Sequence, residues 1–395
     1  MKRPVTVRAP GKLMIAGEYA VLTPGQPAVV AAVDRYISVT ATHCVGAAHD
    51  VELVSDLLPQ PVALLRDTTG LHAVDEGDNA HLKGPLELLL TVVRTVDDLL
   101  AELGRPPVRA RLEIRSALHE HGVKIGLGSS GAVTAAAVQA LTDYAGLPLT
   151  AETRFRLALL AGITLDPAPS GADVAASIWQ GWITYSPPDR AALLGHLSHH
   201  GILDTLHAPW SGLSIRALPP PVSLTLQAGW TSRPASTSDK VGLLRAHPWW
   251  ASTGHYAFRH RSARVVADIG RALEKDEPAL LLGAVTRAHA LIARLDEETG
   301  LGVFTPELAT LCRTAYDAGG VAKPSGAGGG DCGIAFVPST SSVKELHRHW
   351  TQVGITPLSL TTATVPDGQV PVDAGPRLRG PLSRVLGAPI VRTLL

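Results

Sequence analysis

Apolar positions follow two different periods along this chain. Near the start, VTVRA and AVVAAVDRYISVTAT are rich in β-branched residues and partly alternate, which predicts two strands around the turn-rich TPGQP. From His43 to about Asp78 no period holds, and no element is predicted there. KGPLELLLTVVRTVDDLLAEL then places apolar residues at helical spacing between Gly84-Pro85 and Gly104. ARLEIRSAL alternates like a half-buried strand. It runs into KIGLGSSGAV, residues 124–133, and a helix predicted from about Ala132 to Tyr144, stopped by Gly146 and Pro148.

AETRFRLALLAGITL predicts a further helix before the loop DPAPSGADVAAS. Three prolines in LPPPVSLTLQAGW precede a strand and place a domain junction between about Pro187 and Pro221, giving domains 1–200 and 201–395. Beyond it, helical spacing covers Tyr256–Lys275, Pro278–Leu295 and Pro306–Ala318. A glycine hairpin, the strand GIAFV and a last helix and strand follow.

Length agrees with that division, because 395 residues exceed what one core usually serves. The 35 basic residues balance the 35 acidic ones with no basic run, which argues against a nucleic-acid partner. Cys44, Cys312 and Cys332 lie far apart, so neither a disulfide framework nor a structural zinc is expected, and a cytoplasmic setting is. Pro10, Gly11, Lys12 and Glu18 interrupt the apolar start, and no unbroken apolar run approaches the ~18 residues that span a bilayer, so no membrane partner is expected.

Chemistry enters with the glycines. In KIGLGSSGAV, Gly126, Gly128 and Gly131 let main-chain N–H groups approach a ligand, and the helix behind them offers its positive end to an anion. Ser129 and Ser130 could cap that helix, a hydroxyl there could ligate a metal on a nucleotide, and Lys124 adds positive charge. A tight strand-to-helix turn with a serine cap would use the same residues, and there is no Walker A lysine to separate the two readings. PAPSGADVAASIWQGW, residues 167–182, sets Asp173 at a helix start, where it reads either as a first-turn acid or as a catalytic one. KPSGAGGGDCGIAF, residues 323–336, is a glycine hairpin or a ligand loop, and Lys12 of APGKLMIAGEYAVL is a turn lysine or a catalytic one. A patch reading of HPWWASTGHYAFRHR, residues 247–261, competes with a packed helix start near the cleft.

In their order, APGKLMIAGEYAV, KIGLGSSGAV, PSGADVAAS and KPSGAGGGDCGIAF resemble the galactokinase/homoserine kinase/mevalonate kinase/phosphomevalonate kinase superfamily. With AGWTSRPASTSDKV and LDEETGLGVFTPEL, the resemblance is to its bacterial phosphomevalonate kinases and covers nearly the whole chain. It implies an α+β two-domain small-molecule kinase fold, ribosomal-protein-S5-like at the N-terminus and ferredoxin-like at the C-terminus. It also implies transfer of the ATP γ-phosphoryl group to (R)-5-phosphomevalonate with Mg²⁺, in the mevalonate pathway of isoprenoid biosynthesis.

By the same resemblance Lys12 and Asp173 are catalytic, and Lys124, Gly126, Leu127, Gly128, Ser129, Ser130 and Gly131 bind ATP, with Ser130 on the magnesium side. Tyr19, Ser170, Gly171, Ser236, Thr237, Ser325, Gly326 and Ala327 line the acceptor pocket. Arg233 or Lys240 would offset the repulsion between two phosphates. PSGAD is nearer the mevalonate kinase style, which keeps open a related kinase acting on mevalonate or another small alcohol. A nucleotide- or sugar-binding regulator without turnover is a third reading. Monomer and homodimer both remain open.

Overall fold

The computed structural model describes residues 2–44, 49–67, 70–75, 85–120, 122–338 and 343–363. Its first part contains β1 (Val5–Ala16), β2 (Ala28–Thr42), β3 (Val51–Ser55), β4 (Val62–Asp67), β5 (Gly70–Ala73), α1 (Pro85–Glu102) and β6 (Ala110–Ser116). The short pair β7 (His119–Glu120) and β8 (Val123–Lys124) follows, then α2 (Ser129–Tyr144), α3 (Ala151–Leu165), α4 (Ala172–Trp179), β9 (Trp182–Ser186), α5 (Arg190–His207) and β10 (Ser214–Leu218).

These strands form one sheet in the order β10-β9-β2-β6-β3-β4-β5, with β1 beside β2. Pairing is antiparallel except between β3 and β6. On the edge of β2 away from β1, β9 takes Ala28–Ala31 and β6 takes Ile37–Thr42. The helices α2 and α4 pack against β1 and β2, and α7 (Thr253–Lys275) touches the same two strands. Covered in this way, Ala28–Val33 is buried at every position, which is why its alternation in the sequence is only partial.

Pro10 interrupts the β1–β2 ladder, having no N–H to donate, and the register shifts between Pro10 and Gly11. Beyond that irregularity the Lys12 N–H bonds to the Leu127 carbonyl at 2.7 Å, pressing β1 onto the glycine loop. A Cβ at Gly11 would lie 2.7 Å from the Leu127 oxygen, so only glycine permits this approach.

The second part holds β11 (Leu224–Trp230), α6 (Thr237–Ala246), α7, α8 (Pro278–Thr299), α9 (Pro306–Asp317), β12 (Val321–Pro324), β13 (Cys332–Pro338), α10 (Val343–Gln352) and β14 (Thr356–Leu358). Its antiparallel sheet runs β12-β13-β11-β14, the strand order of a split β-α-β ferredoxin-like unit. α8 is apolar and long enough by composition to cross a membrane, but it packs on α7 and β12 with Leu281, Val285, Ile292 and Leu295 buried.

Within the expected junction range of about Pro187–Pro221, residue 200 lies inside α5. β10 still belongs to the first sheet, so the chain changes sheet between Leu218 and Leu224, at the triple proline. Leu224, Ala228, Ile334 and Phe336 join the same apolar cluster as the first sheet. Thr361–Ala363 returns to that sheet, with Thr362 bridged to Val33 and the Thr361 N–H donating to Asp34 Oδ1 at 2.8 Å. Within the stretch His43–Asp78, where the sequence predicts nothing, the described residues form β3, β4 and β5 at the far end of the sheet; 45–48, 68–69 and 76–78 lie outside the described residues.

Candidate active site

β8 delivers Lys124 to the glycine loop, and α2 starts at Ser129, three residues earlier than its apolar pattern suggests. The N-cap is Gly128, at φ 76°, with no side-chain cap, so the serines open the helix and do not cap it. The first helical bond runs from Ala132 N–H to Gly128 O at 3.1 Å, which leaves the preceding amides without intrahelical partners. Those amides and the helix dipole favour an anion at this point.

Two glycines of the loop are needed because side chains lie on them. A Cβ at Gly128 would sit 3.0 Å from Lys12 Cγ and 3.3 Å from Asp173 Cβ, and one at Gly131 would sit 2.6 Å from Asp173 Cγ. Lys12 from β1 and Asp173 from the first turn of α4 therefore both rest against the glycine loop. Burial pulls the Lys12 ammonium below its usual range; Asp173 and Asp331 oppose that and Lys124 adds to it. Among the described residues Lys12 and Asp173 form no direct ion pair; Asp173 Oδ1 accepts the Val174 N–H at 3.0 Å. Attraction between Lys12 and Asp173 thus acts across a gap.

The Asp173 loop is fixed from below. Ser177 donates to the Pro10 carbonyl at 2.8 Å, and Tyr185 donates to the Ser170 carbonyl at 2.7 Å. The buried Arg190 guanidinium donates to the Pro167 and Leu22 carbonyls at 3.0 and 2.7 Å. These bonds tie α4 and its loop to β1 and to the turn after it.

One cavity of about 870 Å³ runs along this loop. Every predicted site residue lines it except Leu127 and Ser325. Leu127 is buried and contributes its carbonyl to Lys12 N–H, so its side chain is structural. Ser325 is buried too. Its hydroxyl accepts Met14 N–H at 2.9 Å and donates to Met14 O at 3.1 Å, so it stitches β12 to β1 and does not face an acceptor. Tyr19 lines the cavity, but its hydroxyl donates to the Ala327 carbonyl at 2.5 Å. Ser236 is the N-cap of α6, accepting Asp239 N–H at 3.2 Å, and sets that helix start in the cavity wall beside Thr237.

Arg233 and Lys240 stand elsewhere. Arg233 pairs with Glu307 at 2.9 Å, and Lys240 Nζ donates to the Leu301 and Gly302 carbonyls at 2.7 and 3.2 Å. Neither is part of the cavity wall. HPWW is a packed helix start: Trp249 clusters with Tyr19, Phe258 and Val303, and Ser252 caps α7.

Three features escape the sequence patterns. The apolar wall made by Leu57, Leu58, Leu86, Leu89, Ile114 and Val133 draws partly on the stretch where no period holds. Lys323 and Glu18 form an ion pair whose side chains are 0% and 2% exposed. Asp331 lines the cavity from the glycine hairpin, and its signal was a lone carboxylate in an otherwise bare GGGDCG.

For a metal, Ser130 at the start of α2 and Asp173 in the first turn of α4 both line the cavity. Two oxygen donors there fit a hard divalent cation that takes its remaining ligands from phosphate and water. No cluster of three or more His, Cys, Asp or Glu suited to another metal occurs among the described residues.

The family profiles described as GHMP kinases N terminal domain and GHMP kinases C terminal match residues 90–181 and 272–356. A phosphomevalonate kinase of Streptomyces sp. (strain CL190) is 46% identical over 367 residues, 92% of this chain and 98% of that protein. A mevalonate kinase of Thermococcus sibiricus is 25% identical, over 86% of this chain and 90% of that protein. Among solved structures, Streptococcus pneumoniae phosphomevalonate kinase in complex with phosphomevalonate and AMPPNP superposes with a TM-score of 0.78 at 27% identity, covering 91% of this chain and 100% of that one. Likeness at this level, over nearly the full length of both chains, makes this chain a member of the GHMP kinases, on their phosphomevalonate kinase branch.

Proposed function

We propose that this chain transfers the γ-phosphoryl group of ATP to the phosphate of (R)-5-phosphomevalonate, giving 5-diphosphomevalonate and ADP. The observation that carries this reading is the shared cavity. The phosphate loop, Lys12 and Asp173 form one side of it, and the Ser236–Thr237 and Gly326–Ala327 segments form the other. The apolar wall around Leu57 and Leu86 suits a purine, and the amides ahead of Ala132 suit its phosphates.

An oxygen of the acceptor phosphate attacks the γ-phosphorus, the bond to the β-phosphate oxygen breaks, and ADP leaves. A phosphate monoester has its second pKa near ~6, so the attacking oxygen is already ionised at neutral pH and needs no base. Asp173 then serves to orient Lys12 across the gap and to hold the metal-bound phosphates. Lys12, Lys124 and the start of α2 stabilise the charge that spreads over the transferring group. Magnesium, held by Ser130 and Asp173, would neutralise phosphate charge when bound.

The two domains would meet at this cleft and divide where the chain changes sheet, between Leu218 and Leu224. Three buried free thiols and balanced charge suit a cytoplasmic enzyme that binds small molecules, not nucleic acid. One observation favours a second reading, in which the acceptor is the plain alcohol mevalonate: Arg233 and Lys240 are engaged away from the cavity. ADP release measured with phosphomevalonate and with mevalonate side by side decides between them. Phosphomevalonate is the expected acceptor, and turnover of mevalonate alone would overturn the assignment.

A further inference from the structure

Residues Gly328, Gly329, Gly330 and Asp331 have φ of 63°, 76°, 151° and 51°, four successive positions that glycine suits best. The fourth is a carboxylate all the same. Its backbone bonds do not need the side chain: the N–H donates to Arg233 O at 2.7 Å, and the carbonyl accepts from Thr231 N–H and Oγ at 2.9 and 3.0 Å. What the side chain adds lies elsewhere. Oδ1 accepts Ala235 N–H at 3.1 Å, just ahead of Ser236 and Thr237. On the other side, a Cβ at Gly126 would meet Asp331 Cγ at 2.5 Å and Oδ2 at 2.8 Å. The carboxylate is therefore wedged between the acceptor loop and the phosphate loop.

The charged groups facing it are Lys12 from β1 and Lys124 from β8. Burial pushes the Asp331 carboxyl up, while the Ala235 amide and the two lysines pull it down. A strained, half-buried acid kept where glycine would rest easily points to a role beyond packing.

We propose that Asp331 is a positioning residue: it anchors the acceptor loop to the phosphate loop and steadies Lys12 and Lys124 where the two phosphates meet. This rests on the kinase reading above. The hydrogen bond fixes residues 231–237 relative to Gly126, and the charge holds two ammonium groups that would otherwise repel each other. Both effects act through other residues, so Asp331 itself need not touch the reacting atoms.

Two variants separate the effects. Asp331→Asn keeps an acceptor for Ala235 N–H and tolerates the left-handed backbone, but loses the charge. Asp331→Gly relieves the backbone and loses both. Steady-state kinetics and thermal melting are measured with whichever acceptor the wild type turns over, so failure of the acceptor assignment shows in the wild type and failure of this proposal in the variants. Asp331→Asn is expected to lose on the order of tenfold or more in kcat with little change in acceptor KM. Asp331→Gly is expected to lose at least as much kcat and to raise acceptor KM several-fold, about what a loosened loop contact costs, while melting no lower than wild type. Wild-type kinetics in both variants, or losses that track a lowered melting temperature, would overturn the proposal.

Discussion

Asp173 occupies the space a side chain at Gly131 would need: a Cβ there would lie 2.6 Å from its Cγ and 2.6 Å from its backbone carbonyl carbon. Gly131 is helical, so alanine would normally be preferred there by about 1 kcal/mol. Gly131→Ala should nonetheless cut kcat by roughly a hundredfold or more, because α4 must back away from the loop and carry Asp173 with it. Kinetics beside a thermal melt test this; an active Gly131→Ala would mean that the contact does not matter.

If Asp173 orients and does not remove a proton, Asp173→Asn should lose about a hundredfold in kcat, and that loss should stay nearly constant between pH ~7 and ~9. A base working on a hydroxyl acceptor would show a different signature, with the variant's rate rising steeply with pH over the same range. The pH profile of kcat for wild type and variant distinguishes them.

Lys12 supplies charge only while protonated, and burial lowers its pKa. The sign follows: protons leave at lower pH than from a free lysine near ~10.4, so kcat/KM for ATP, which reports the free enzyme, should fall on the alkaline side before that value. Lys12→Arg stays charged throughout that range and should lose that alkaline limb while turning over slowly, since a planar fork cannot replace a point charge against Gly128. An unchanged alkaline limb in Lys12→Arg would assign the titration to another group.

The four glycine-bearing motifs were legible because each needs residues that composition alone would not place there, and their convergence is what the cavity displays. The helix periods of α1, α7, α8 and α9 were legible for a similar reason, since each buries one stripe. Hydroxyl partners were not. Tyr19 and Ser325 look like ligand residues in sequence, yet their hydroxyls bond to the backbone of Ala327 and Met14, more than 300 positions away. Long-range main-chain contacts of that kind leave no local pattern. β3 to β5 were hidden because they run only five, six and four residues, with β5 at the open edge of the sheet, and the place of β10 was hidden by the prolines that follow it.

The Lys323–Glu18 pair joins β12 to the turn after β1 in a site closed to water, with Lys323 Nζ also donating to Pro324 O at 2.7 Å. Removing one partner leaves a buried charge alone. Lys323→Met or Glu18→Gln should each destabilise the protein by about 3–5 kcal/mol, and the double variant should recover part of that loss. Urea denaturation of the three variants measures it; additive losses would mean the two groups are not coupled.

In the proposed reaction, two phosphates meet between Lys12, Asp173 and the start of α2. A crystal structure with a non-hydrolysable ATP analogue and phosphomevalonate tests it most directly. The expected result places the acceptor phosphate oxygen about 3–3.5 Å from the γ-phosphorus, in line with the leaving oxygen and with Lys12 in reach. Nucleotide phosphates seated away from the Gly126–Gly131 loop, or an acceptor held on the far side of Asp173, would contradict it.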